Sequence, residues 1–125
     1  MISEKPARAS FLPFSTPAIG EEEVAEVRQS MLSGWLTTGP KTEKFTNDFL
    51  AYVNAPYGVA LNSATAGLHI AQAAVGLKPF DEVITSPLTF TATANTTLHV
   101  GAKPVFCDID LNTYNMDPAA LADAV

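Results

Sequence analysis

The sequence predicts an α/β fold built on a parallel sheet, and three observations carry that expectation. From Tyr57 onward, short apolar runs alternate with helical segments in the order β-α-β-α-β-α. None of the three runs has an alternating polar face, which is the pattern of strands covered on both sides. The stretch Tyr57–Gly76, YGVALNSATAGLHIAQAAVG, reads as strand, tight turn and helix in succession. The chain has 125 residues, of which 47% are hydrophobic and only 16% charged. That balance suits a buried sheet or a surface meant for a partner.

Taken in order, residues 1–10 read as a flexible tail and residues 11–125 as one folded segment. FLPFSTPAIG, rich in aromatics and prolines, packs in an extended form. Gly20 to Ser33 is a helix: Glu21, Glu22 and Glu23 place negative charge at its positive dipole end, Val24, Val27 and Met31 share a face, and Gly34 ends it. The loop GWLTTGPK follows. Its Trp35 either sits beside a ligand or anchors the loop, and residue chemistry alone leaves both open. Pro40 to Val53 is a second helix, with Phe45, Phe49, Tyr52 and Val53 as its buried stripe, broken at Asn54–Pro56.

The first strand is Tyr57–Leu61. A helix from Ala64 to Val75 follows it, with Gly76 at its end. Residues 82–86, EVITS, form the second strand, stopped by Pro87. Ala92 to Val100 reads as a helix despite its threonines, which are poor helix formers. KPVFCDID, residues 103–110, is the third strand. Asp117 then caps a helix that has Pro118 at its first position. Three parallel strands leave open sheet edges, and the last helix stops at Val125 without a terminating residue. The expectation is the first part of a larger α/β domain.

The formal net charge of −6 and the scattered basic residues exclude an electrostatic footprint for nucleic acid. No run reaches the roughly 18 apolar residues of a membrane span, and MISEKPARAS lacks the apolar centre of a signal peptide. A cytoplasmic protein is expected. The single cysteine, Cys107, supports neither a disulfide nor a thiolate metal site and reads as a buried small hydrophobe. His69 and His99 have no metal-ligand spacing and read as packing or surface residues.

The turn at Asn62–Thr65 is the candidate site. A strand feeding a helix through small residues aims unpaired backbone N–H groups at the space beyond the strand end. That space suits an anion, most often a phosphate, with Ser63 and Thr65 as added hydroxyl donors. Taken alone, the same residues read first as an ordinary N-cap by Ser63 on a core helix. Neither the dinucleotide nor the P-loop fingerprint is present.

Two segments, GWLTTGPKTEKFTNDFLAYV and LNSATAGLHIAQAAVGLKPFDEVITSPLTFTATANTTLHVGAKPVFCDIDLNTYNMDP, carry a resemblance. Together they resemble the DegT/DnrJ/StrS family of sugar-nucleotide aminotransferases, over about residues 11–125. The wording SATAGLHI is most similar to the enzymes of UDP-aminoarabinose synthesis. The resemblance implies the N-terminal part of a fold type I transferase large domain, a three-layer α/β/α arrangement with a mostly parallel sheet, incomplete in this chain. It implies pyridoxal 5′-phosphate (PLP) as cofactor, a sugar nucleotide and glutamate as substrates, and a homodimer.

By the same resemblance, Ser63, Ala64 and Thr65 hold the cofactor phosphate, Phe90 stacks on its ring, and Trp35, Leu36 and Thr37 lie on the substrate side. Asp108 and Asp110 match strand-end acids of this half of the domain. The family also needs a Schiff-base lysine and an acidic partner for the pyridine nitrogen. No lysine here stands in a matching context, and both groups are expected beyond Val125. No catalytic residue is therefore assigned, and the segment alone is expected to be inactive. The competing expectation is a truncated, non-enzymatic module that self-associates or binds a phosphate ligand.

Overall fold

The computed structural model describes residues 9–125; most of the expected tail, residues 1–8, lies outside the described residues. The chain divides into two compact units, one ending at Gly58 and one beginning at Val59.

The first unit contains α1 (Glu21–Ser33) and α2 (Pro40–Val53). Local chemistry sets their ends. The Gly20 N–H donates to the Glu23 carboxylate at 2.6 Å, which satisfies an end group of α1 and holds the Glu23 carboxyl below the usual carboxylate range. Gly34 closes α1 with φ 74°, a left-handed conformation that glycine adopts without a Cβ penalty. Pro40 opens α2 and Asn54, at φ 52°, ends it. Lys41 pairs with Glu26 and donates to Gln29 at 3.1 Å, tying the start of α2 to α1.

The expected buried stripe of α2 is not buried in this chain. Phe45 and Phe49 meet at a centroid distance of 6.0 Å, yet they and Tyr52 are exposed, Tyr52 at 88%. The face of α1 bearing Val24, Val27 and Met31 is exposed as well. A helical period shows which side chains share a face; what covers that face is a matter of tertiary contact.

The second unit contains α3 (Ala64–Ala74), β1 (Glu82–Thr85), α4 (Ala92–His99), β2 (Lys103–Phe106) and α5 (Pro118–Ala124). β1 and β2 pair in parallel, Glu82 opposite Lys103 through Thr85 opposite Phe106, with α4 as the crossover. Backbone bonds from Lys103 to Asp81 and from Cys107 to Thr85, at 2.8 and 2.9 Å, extend the ladder. The parallel α/β expectation holds for this pair.

The strand expected at Tyr57–Leu61 is not formed. Among the described residues the sheet has two strands, and this segment has no ladder partner. An apolar run becomes a strand only when another backbone answers its N–H and C=O groups. The strand expected over 103–110 stops at Phe106. Beyond it the chain turns, and Ile109 bridges antiparallel to Met116. Burial on both faces is also not seen: Val83, Ile84, Pro104 and Val105 are half-buried and Phe106 is exposed.

The core of the second unit is made of small residues. Thr85, Ala92, Thr96, Thr97, Ala102 and Cys107 are buried. α4 forms despite its threonines because it packs on α3, β1 and β2; the fully buried Thr96 hydroxyl is satisfied by the Ala92 carbonyl at 2.9 Å. Cys107 is the buried small hydrophobe expected, and burial, reinforced by Asp117 and Asp108, pushes its thiol up.

Candidate functional site

The turn before α3 forms the helix cap that its sequence allows. Ser63 is extended and caps the helix, its Oγ accepting from the Ala66 N–H at 3.1 Å, while its carbonyl accepts from Gly67 at 3.2 Å. That leaves the N–H groups of Ser63, Ala64 and Thr65 without a hydrogen-bond partner among the described residues. The cap uses the Ser63 oxygen as acceptor, so the hydroxyl hydrogen is still able to donate. Ser63 and Ala64 are exposed and Thr65 is half-buried. The arrangement can present three backbone donors and two hydroxyls to an anion at the positive end of a helix.

Phe90 stands just before α4, with its ring 79% exposed. Its backbone is held. The Phe90 carbonyl accepts from the Thr93 N–H at 2.9 Å, and the Thr89 and Thr93 hydroxyls share a bond of 3.0 Å. A ring that is free on a backbone that is fixed suits stacking on a planar ligand. α3 and α4 pack on each other, so the turn and Phe90 lie at the starts of two packed helices.

Trp35, Leu36 and Thr37 lie in the other unit, between α1 and α2. The Trp35 indole N–H donates to the Thr38 carbonyl at 2.9 Å, and its backbone N–H donates to Ser33 Oγ at 3.1 Å. The ring also lines a cavity of about 300 Å³ with Gln29, Ser33, Thr37, Gly39 and Lys41. Trp35 is thus both loop anchor and cavity wall. Leu36 is 74% exposed and takes no part in that lining. Gly39 was not singled out by its sequence context. A Cβ there would enter the Trp35 indole, 2.6 Å from Cε2.

None of the described lysines is buried in an apolar pocket. Lys41, Lys44, Lys78 and Lys103 are all exposed. Lys44 pairs with Asp48, whose hydrogen bond and charge raise the Lys44 pKa further. Lys103 pairs with Glu82 at 2.7 Å. Among the described residues no group of three or more His, Cys, Asp or Glu could hold a metal. His69 and His99 meet edge to face across α3 and α4, with ring centroids 5.6 Å apart. No helix among the described residues is long and apolar enough to cross a membrane.

Sequence reasoning also missed Gln72 and Thr96, which meet at 3.2 Å between α3 and α4. The available signal was the one amide in an alanine-rich helix, together with threonines in a poor helix former.

Residues 17–125 match the model of the DegT/DnrJ/EryC1/StrS aminotransferase family. The spore coat polysaccharide biosynthesis protein SpsC of Bacillus subtilis is 56% identical over 118 residues, covering 94% of this chain and 30% of that protein. Spr1654 of Streptococcus pneumoniae, assigned as a sugar aminotransferase and solved in its PLP form, superposes with a TM-score of 0.82 at 43% identity. That match covers 91% of this chain and 29% of the other. NtdA of Bacillus subtilis with bound pyridoxamine phosphate (PMP) gives a TM-score of 0.76 at 32% identity, covering 84% and 24%. The chain spans less than a third of the length of these relatives.

Proposed function

Because this chain belongs to the DegT/DnrJ/EryC1/StrS aminotransferase family, we propose that it supplies part of the cofactor pocket of a PLP-dependent sugar aminotransferase. The observation that carries this reading is the set of unpartnered N–H groups at Ser63, Ala64 and Thr65, on a helix packed against the one that Phe90 precedes. The names of SpsC and Spr1654 support sugar amination for polysaccharide synthesis. The finer proposal is transfer of an amino group from glutamate to a keto-sugar nucleotide for surface polysaccharide, lipopolysaccharide or lipid A, by a cytoplasmic homodimer. Residues 11–125 are then the N-terminal segment of the large domain.

The donor set fits the cofactor. A helix N-terminus attracts an anion by about 0.3–1 kcal/mol when exposed and up to about 2 kcal/mol when partly buried. Millimolar affinity needs about 4 kcal/mol, so the turn alone is insufficient. Phe90 adds to it by covering a ring face and fixing the plane of the ring. Bound there, the cofactor would provide an electron sink for amino transfer. This chain's own work is to hold the phosphate and orient the ring, while Trp35, Leu36 and Thr37 face the sugar nucleotide. With its described lysines exposed, we assign the segment a binding role rather than turnover. A borohydride-reducible PLP adduct on one specific lysine overturns that assignment.

The test is a pair of variants titrated with inorganic phosphate and with PMP. Thr65→Ala removes a donor shared by both ligands and is expected to weaken both. Phe90→Ala removes the stacking face and is expected to weaken PMP alone. Equal losses for both ligands in both variants would sink the reading.

A further inference from the structure

We propose that Gln72 is a positioning residue for the cofactor ring. Through Thr96 it ties α3, which begins at the phosphate turn, to the first turn of α4, which follows Phe90. The inference rests on the cofactor reading above.

The link is directional. Gln72 Nε2 donates to Thr96 Oγ1 at 3.2 Å. The Thr96 hydroxyl, with a single hydrogen, donates onward to the Ala92 carbonyl at 2.9 Å. Ala92 opens α4, and beside it the Thr93 N–H donates to the Phe90 carbonyl at 2.9 Å. Thr96 is fully buried and Gln72 half-buried, so the Thr96 end of the relay is shielded from water. α3 is a continuous helix from Gln72 back to Ala64, about 12 Å at 1.5 Å per residue. A shift where Gln72 meets Thr96 is therefore carried to the Ser63–Thr65 turn on one side and to Phe90 on the other.

Stability does not account for this polar pair. Gln72 Oε1 and Thr97 Oγ1 are buried on the same two helices without a partner among the described residues. Leaving such atoms unpaired is unfavourable, and apolar groups of the same shape avoid the loss. What the polar pair adds is geometry. An amide–hydroxyl bond weakens once its length leaves a range of about half an ångström or its angle bends far from linear, whereas apolar packing lets two helices slide and roll.

Stability and cofactor binding should therefore separate. The test uses the full chain with PMP, which has no aldehyde to react with surface lysines, and with inorganic phosphate. Gln72→Met keeps the side-chain length and removes the amide. It is expected to weaken PMP about fivefold, the scale of one net hydrogen bond. Phosphate affinity should stay unchanged, and the thermal midpoint unchanged or higher. Thr96→Val should reproduce this result, and Thr96→Ser should retain wild-type PMP binding. Unchanged PMP affinity in Gln72→Met overturns the proposal while leaving the cofactor site intact. Parallel loss of PMP affinity, phosphate affinity and thermal midpoint also overturns it, because the pair is then merely structural. If the wild-type chain binds neither ligand, the cofactor reading fails and this inference falls with it.

Discussion

Gly39 carries the conformation of the loop that follows α1. Its φ of −169° is extended backbone open to any residue, so dihedral strain is not the reason for glycine here. The reason is space: the Trp35 indole occupies the position of a Cβ, held there by its N–H bond to the Thr38 carbonyl. Gly39→Ala is expected to displace the indole and open the Lys41 side of the cavity. The cost should be about 1–3 kcal/mol, as for overpacking elsewhere. Trp35 is the only tryptophan, so its emission and quenching report the displacement directly. Wild-type emission together with a wild-type denaturation midpoint would show that the loop absorbs the methyl without moving the ring. Trp35 was legible in the sequence as a residue of interest; its seat was not, because a glycine in a TTGP loop looks like any turn glycine.

The connection between β2 and α5 is held by a carboxylate. Asp110 Oδ1 accepts from the Asn112 and Thr113 N–H groups at 2.7 and 2.9 Å, and these bonds hold its carboxyl below the usual range. A lowered folded-state pKa means stability that is present above the unfolded value, about 3.9, and lost as pH falls through the folded value. Asp110→Asn keeps an acceptor oxygen without the charge. It should therefore lose less stability than wild type on going from neutral pH to about pH 3. Thermal melts at the two pH values check this, and an equal acid shift in both proteins would show that Asp110 contributes nothing to acid sensitivity. The strand expected to run through this acid stops at Phe106; after the Cys107 bond to Thr85 the backbone pairs locally instead, the Asp110 N–H donating to the Asn115 carbonyl at 2.9 Å.

At the scale of the whole molecule, much of the apolar surface is uncovered. The aromatic ring of Phe14 and the faces of α1 and α2 are exposed, as are Tyr57 and Val59. Apolar surface left uncovered on this scale suits a contact with further polypeptide. The chain is expected to self-associate, giving a sedimentation coefficient that rises with concentration across the micromolar range. A single monomer species throughout would count against it. The low charge content is compatible with a buried sheet or with a surface meant for a partner, and composition indicates neither which nor where.

Most helix ends were legible in the sequence: Gly34, Pro40, Asn54, Ser63, and Asp117 with Pro118 act where they were expected, whereas the bond of the Gly20 N–H to Glu23 was not anticipated. So was the parallel pairing of β1 with β2 through a helical crossover. Each cap depends on groups within about four residues, which a linear reading contains. The tertiary structure alone decided that Tyr57–Leu61 finds no ladder partner, that the stripe of α2 stays uncovered, and that Gln72 meets Thr96. Those outcomes depend on backbone or side chains far away along the chain, and neither periodicity nor propensity specifies the partner.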